Sequence, residues 1–163
     1  MMFCELWCDR TIFGSKDLEL VLAQCENQGA GSPEQVAGFA LAYANAKMTH
    51  HELFNVESSL VVEEVILEWA KLVEPVANAN GYRQINVRFA NMSLGLKPEL
   101  ISQAMKSFCE AFHEGRFDSP NEVYKEFEKI HPFVDGNGRI GHLLWASYQH
   151  YSDWPMTLPP KTF

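Results

Sequence analysis

The sequence predicts a mainly α-helical domain, a compact bundle interrupted by one β-hairpin, and three observations carry that reading. Apolar residues recur at helical spacing through most of the 163 residues. The segments Ser32-Pro33-Glu34-Gln35 and Ser119-Pro120-Asn121-Glu122 each read as a capping box with a proline at the first helical position. Only Tyr82 to Leu94 alternates apolar and polar residues with the period of a strand. A chain of this length is most simply one domain with a real core.

The helix opened at Ser32 is expected to carry Val36, Phe39, Ala40 and Tyr43 on one face. A longer helical stretch is predicted from about Thr49 to Val76. Leu53, Val56, Leu60, Leu67 and Leu72 supply its apolar positions, with Glu63, Glu64, Glu68 and Lys71 outward. Pro75 and Asn78-Ala79-Asn80-Gly81 end it. In the extended segment, Ile85, Val87 and Phe89 alternate with Gln84, Asn86 and Arg88. Asn91 would turn the chain into a short return strand, Met92 to Leu94. Pro98 starts a helix bearing Leu100, Ile101, Met105, Phe108 and Phe112, which ends near Gly115. The helix opened at Ser119 places Val123, Phe127 and Ile130 at i, i+4 and i+7. Ile140, Leu143, Leu144 and Ser147 mark a last helix, to about Tyr151. Residues 1–31 are expected to form an N-terminal extension packed on a domain of residues 32–151. The Pro-rich tail, 152–163, is a non-helical wrap or a loose end.

A net charge of −8 argues against holding nucleic acid through an overall positive field, so any phosphate must be held by local donors. The first residues lack the basic region of a secretory signal, and no apolar run reaches the length of a membrane span. A reduced, cytoplasmic compartment follows, with Cys4, Cys8, Cys25 and Cys109 as thiols. Cys4 and Cys8 could open a zinc site with His50 and His51, but no second matched pair at ligand spacing supports one.

Chemistry concentrates in His131-Pro132-Phe133-Val134-Asp135-Gly136-Asn137-Gly138-Arg139-Ile140-Gly141-His142. Gly136-Asn137-Gly138 falls between two helices, where glycines can turn successive N–H groups inward as an anion nest. The helix that follows adds its free N–H groups and the positive end of its dipole. Arg139 can fork onto phosphate oxygens. Asp135 would repel a bare phosphate and makes sense if it carries Mg²⁺ between phosphate groups. His131, at the end of the preceding helix, can take a proton from an attacking hydroxyl near neutral pH. Phe133 is expected to anchor in the core. The bland alternative is an interhelical turn with Asn137 as N-cap, Asp135 and Arg139 as a surface ion pair, and His131 as a capping residue. Gly136-x-Gly138-x-x-Gly141 also fits a dinucleotide fingerprint formally, but a helix, not a strand, is expected to precede it.

The run resembles the signature of Fic-type (Fido domain) enzymes, H-P-F-x-[D/E]-G-N-G-R-x-x-R, at every fixed position except the last, which is His142 here. Phe127-Glu128-Lys129-Ile130 before it and Gly81-Tyr82-Arg83 with its alternating continuation are similar to the family's preceding helix and flap hairpin. The resemblance covers about Ser32 to Tyr151 and implies a compact Fic-like helical bundle. The compact form and the Pro-rich end also resemble small Fic-like proteins of bacteriophages. The resemblance further implies a nucleotidyltransferase that moves AMP from ATP to a Ser, Thr or Tyr hydroxyl of a target protein. By position, His131 would be the base, Asp135 would hold Mg²⁺, and Gly136, Asn137, Gly138, Arg139 and His142 would bind the nucleotide. Arg83, Gln84, Ile85, Asn86, Val87 and Arg88 would dock the target as an added strand. At His142 the family's arginine handles the terminal phosphate, and a histidine is shorter with fewer donors. ATP held more weakly, another donor, a Doc-like kinase reaction and a non-catalytic binding module all remain open. The family's inhibitory segment, [S/T]-x-x-x-E-[G/N], has no intact match. Ser59-x-x-x-Glu63 is followed by Glu64, and Ser15-x-x-x-Glu19 by Leu20.

Overall fold

The structure is a computed structural model, and it describes residues 13–50, 59–89, 94–148 and 154–160. Within them the helices are α1 (Ser15–Asn27), α2 (Pro33–Thr49), α3 (Ser59–Val73), α4 (Pro98–His113), α5 (Pro120–Ile130) and α6 (Asn137–Ser147). Helix α6 is the centre of the bundle. All its residues are buried, and it packs against α2, α3 and α5. Helix α1 covers α2, and α4 joins α3 to α5.

Both proline-led starts form, but the capping box expected at each is complete only at α2. Ser32 and Gln35 make a reciprocal capping box at α2. Ser119 accepts from the Glu122 N–H, while the Glu122 carboxylate takes the Asp118 N–H instead.

The expected face of α3 is corrected. Among its described side chains Val62, Ile66, Trp69, Ala70 and Val73 are buried, whereas Leu72 is 36% exposed and Leu67 only partly buried; the side chain of Leu60 lies outside the described residues. Trp69, the largest side chain available, sets the rotation and donates its indole N–H to Asn45 at 2.8 Å. Of the long helix expected from Thr49 to Val76, the described part is α3, Ser59–Val73, and residues 51–58 lie outside the described residues. Leu53 and Val56 lie outside the described residues, as do Cys4, Cys8 and His51 of the zinc reading. Cys25 and Cys109 are buried free thiols, and burial pushes both upward.

Of the expected β-hairpin only part is described, since residues 90–93 at its turn lie outside the described residues. Among the described residues, pairing is limited to one antiparallel bridge, Arg88 with Leu94, and the bond from the Gly95 N–H to the Val87 carbonyl.

The tail wraps. Trp154 is 7% exposed and packs edge-on against Tyr43 and His50, with ring centroids 5.3 and 5.5 Å away. Among the described residues, no helix is long and apolar enough to cross a membrane.

Candidate functional site

His131 closes α5 in the left-handed conformation, φ 49° and ψ 62°, the positive φ of a non-glycine residue. Such a backbone persists only when its surroundings hold it. Arg83 does so. Its Nε donates to the His131 carbonyl at 2.7 Å, Nη1 to Ile85 at 2.6 Å and Nη2 to Leu96 at 2.7 Å. Its own N–H reaches the Pro132 carbonyl at 2.9 Å. Arg83 is 1% exposed, and burial lowers its pKa. Its side chain thus staples the flap to the loop and does not face outward. Gln84, Ile85, Asn86 and Arg88 are exposed and Val87 is half-buried. The Phe89 ring meets the His131 ring edge-on at 5.1 Å.

Beyond His131, Pro132 and Phe133 enter the core, with Phe133 against Tyr82 and Phe127 as anticipated. The Asn137 side chain turns back on Phe133, accepting from its N–H and donating to its carbonyl, both at 2.9 Å. Asn137 thus clamps the loop, and the N-cap is Gly136 at φ 79°, a value that suits only glycine. No side chain caps α6. A Cβ on Gly136 would lie 2.7 Å from Val73 Cγ1, and one on Gly138 would overlap the Gln28 side chain. Gln24 donates to the Gly138 carbonyl at 3.3 Å, so the end of α1 rests on the first turn of α6. Asp135 keeps its carboxylate 58% exposed. Its Oδ1 accepts the Gly136 N–H at 2.5 Å and lies 3.5 Å from Arg139 Nη2. Asn78 ties its carbonyl to the end of α3.

Two expected phosphate ligands are placed elsewhere. Arg139 is 1% exposed, with Nη2 2.5 Å from Glu74 Oε1, and Gln35 shares that oxygen at 2.7 Å. The guanidinium is committed to the end of α3. His142 is wholly buried among Phe39, Tyr43 and Trp145, with neither ring nitrogen hydrogen-bonded. Burial pulls its pKa down to about 3, so it is neutral. The expectation that it faces a terminal phosphate is corrected. Because α6 is buried on every side, the position one turn beyond Arg139 is core.

Among the described residues, no three His, Cys, Asp or Glu side chains cluster as a metal site. Three residues near the loop went unread in the sequence. Gln28 and Glu74 are distant in the chain and left no signal there. Glu128, at i−3 from His131 on an amphipathic helix, was within reach of helical periodicity.

A model of the Fic/DOC family matches residues 40–148. A Fido domain-containing protein of Dictyostelium discoideum is 34% identical over 70 residues, spanning 39% of this chain and 48% of that protein. The crystal structure of a Fic domain containing signaling protein from Bacteroides thetaiotaomicron superposes with a TM-score of 0.55 at 19% identity, covering 81% of this chain and 55% of that one. The latter likeness is one of fold. The chain spans about half the length of each of these relatives.

Proposed function

The chain belongs to the Fic/DOC family, and from that premise we propose that it is a protein-modifying transferase moving AMP from ATP to a Ser, Thr or Tyr hydroxyl of a target protein. The observation that carries the reading is the pairing of His131, fixed at the end of α5, with the uncapped start of α6 across the loop 132–136.

In this reading the His131 imidazole takes the hydroxyl proton as the target oxygen forms its bond to the α-phosphorus. The bond from that phosphorus to the β-phosphate oxygen breaks, and pyrophosphate leaves. The first N–H groups of α6 and its dipole stabilise the negative charge of the phosphates. Asp135 is the residue that would hold Mg²⁺, and its donor set fits a shared ion. The carboxylate is exposed, its two contacts both fall on Oδ1, and Mg²⁺ commonly takes one or two carboxylates plus substrate phosphates. When bound, the ion would neutralise phosphate charge. Arg139, paired with Glu74, serves here to hold the loop. The exposed backbone from Gln84 to Arg88 offers an edge for a target segment, with Arg83 fixing that edge relative to His131. The cytoplasm, with its ATP, is the compartment that suits the reaction.

A second reading is favoured by Arg139 and His142. Neither offers a donor to a terminal phosphate in this conformation, which suits a donor other than ATP, or nucleotide binding without transfer. Incubation of the protein with α-labelled or γ-labelled ATP and a cell lysate separates these. Protein-bound label from the α position, lost in His131→Ala, is the expected result. Label from the γ position alone would make the protein a kinase. Nucleotide binding by calorimetry without transfer from any donor would make it a binding module.

A further inference from the structure

The His131 side chain is 24% exposed, yet its Nδ1 is buried and has no hydrogen-bond partner. The ring nitrogen available to a substrate is therefore Nε2. Opposite Nδ1, at 3.5 Å, stands Oε2 of Glu128, one turn back on α5. Glu128 is 7% exposed, and its Oε1 is likewise buried without a partner. Helix α6 makes the space for it. A Cβ on Gly141 would lie 2.5 Å from Tyr124 Cε2 and 3.4 Å from Glu128 Oε1. Phe89 closes against the imidazole at 5.1 Å.

We propose that Glu128 is a positioning residue for His131, accepting a hydrogen bond from Nδ1–H and so leaving the Nε2 lone pair free for the target's proton. The inference rests on reading His131 as the base. A neutral imidazole carries one ring proton, and with that proton on Nε2 it could not accept another there. An ionised carboxylate only accepts, so beside Nδ1 it selects the required tautomer. Burial removes water as a competing partner. The 3.5 Å separation is longer than a formed bond, and catalytic hydrogen bonds are often long in substrate-free enzymes. When the hydroxyl proton reaches Nε2, Nδ1 keeps its own proton and Glu128 keeps its charge, which then faces the imidazolium. The position itself argues for a purpose. Glu128 follows Phe127 on the buried side of α5, where an apolar residue would carry no desolvation cost.

The test needs no substrate. Long-range ¹H–¹⁵N correlation on the labelled full chain reads the His131 tautomer, with His131→Gln assigning the signal. Wild type is expected to carry the proton on Nδ1. Glu128→Leu is expected to move the majority to Nε2, and Glu128→Gln, which keeps an acceptor, to retain Nδ1–H. Glu128→Asp retracts the carboxylate by one methylene and is expected to give a mixture, which keeps the test alive if the leucine variant fails to fold. An Nε2–H ring in wild type, or Nδ1–H unchanged in both Glu128→Leu and Glu128→Asp, overturns the proposal. In the transfer assay, Glu128→Leu should lower kcat on the order of 10- to 100-fold with KM within about twofold. Absence of transfer by wild type would refute the role of His131 as a base and leave the tautomer result to stand or fall alone.

Discussion

Replacing Arg83 with alanine should be among the most damaging single changes outside the signature run. The side chain is 1% exposed and makes three short bonds to carbonyls, those of His131, Ile85 and Leu96, at 2.7, 2.6 and 2.7 Å. Hydrogen bonds from a charged donor contribute about 1.5–3 kcal/mol each, so their simple sum is roughly 4–9 kcal/mol. Water entering the space left by the side chain, and release from burying the guanidinium, return part of that. The net loss should be ~3–5 kcal/mol, a large share of the stability of a domain this size. At about 2–4 °C per kcal/mol, Tm should fall by roughly 6–20 °C. Urea unfolding followed by tryptophan fluorescence measures it. Arg116→Ala is the control, since its pair with Glu114 is exposed on both sides and should change stability by less than ~1 kcal/mol. Arg83→Lys should fall between, because an ammonium cannot span all three carbonyls. An Arg83→Ala protein within ~1 kcal/mol of wild type would refute the claim that this side chain holds the flap, the His131 backbone and the loop together.

His142→Phe should gain stability relative to wild type as pH falls. The folded His142 has its pKa lowered to about 3, while an unfolded histidine binds its proton near pH 6.5. Between those values the unfolded state holds more protons, so wild type loses stability on acidification and the variant lacks that loss. The gap should be small above pH 7 and approach ~4 kcal/mol towards pH 3, read from unfolding curves across pH; a gap independent of pH would contradict it. Gly141→Ala should cost ~2–3 kcal/mol, because its Cβ would sit 2.5 and 2.7 Å from Tyr124 ring carbons, and thermal melts read it directly. Asn137→Ala should cost ~2–4 kcal/mol by freeing the Phe133 N–H and carbonyl, while Asn137→Asp, which keeps the acceptor, should cost less in the same assay.

The helical class and most element starts were legible because proline-led caps and 3.6-residue periodicity are local signals, and Ser32 and Ser119 form their caps. The face of α3 was not, because its apolar residues support two stripes and only packing of Trp69 against its neighbours selects one. Alternation marked the extended segment, and among the described residues it pairs through the Arg88–Leu94 bridge. Within the candidate site, His131, Asp135 and the glycine turn were legible as one motif. Arg139 and His142 were assigned outward because a motif gives order along the chain and not burial. Glu74, from the far end of α3, claims Arg139, and α2 encloses His142.

The most direct test of the account is the structure of the protein with a non-hydrolysable ATP analogue and Mg²⁺. The account predicts phosphates at the first turn of α6, within hydrogen-bonding reach of its backbone N–H groups. It also predicts the metal on Asp135 and His131 Nε2 open towards the α-phosphorus. A nucleotide bound away from α6, or a His131 ring turned from the α-phosphorus, would contradict it.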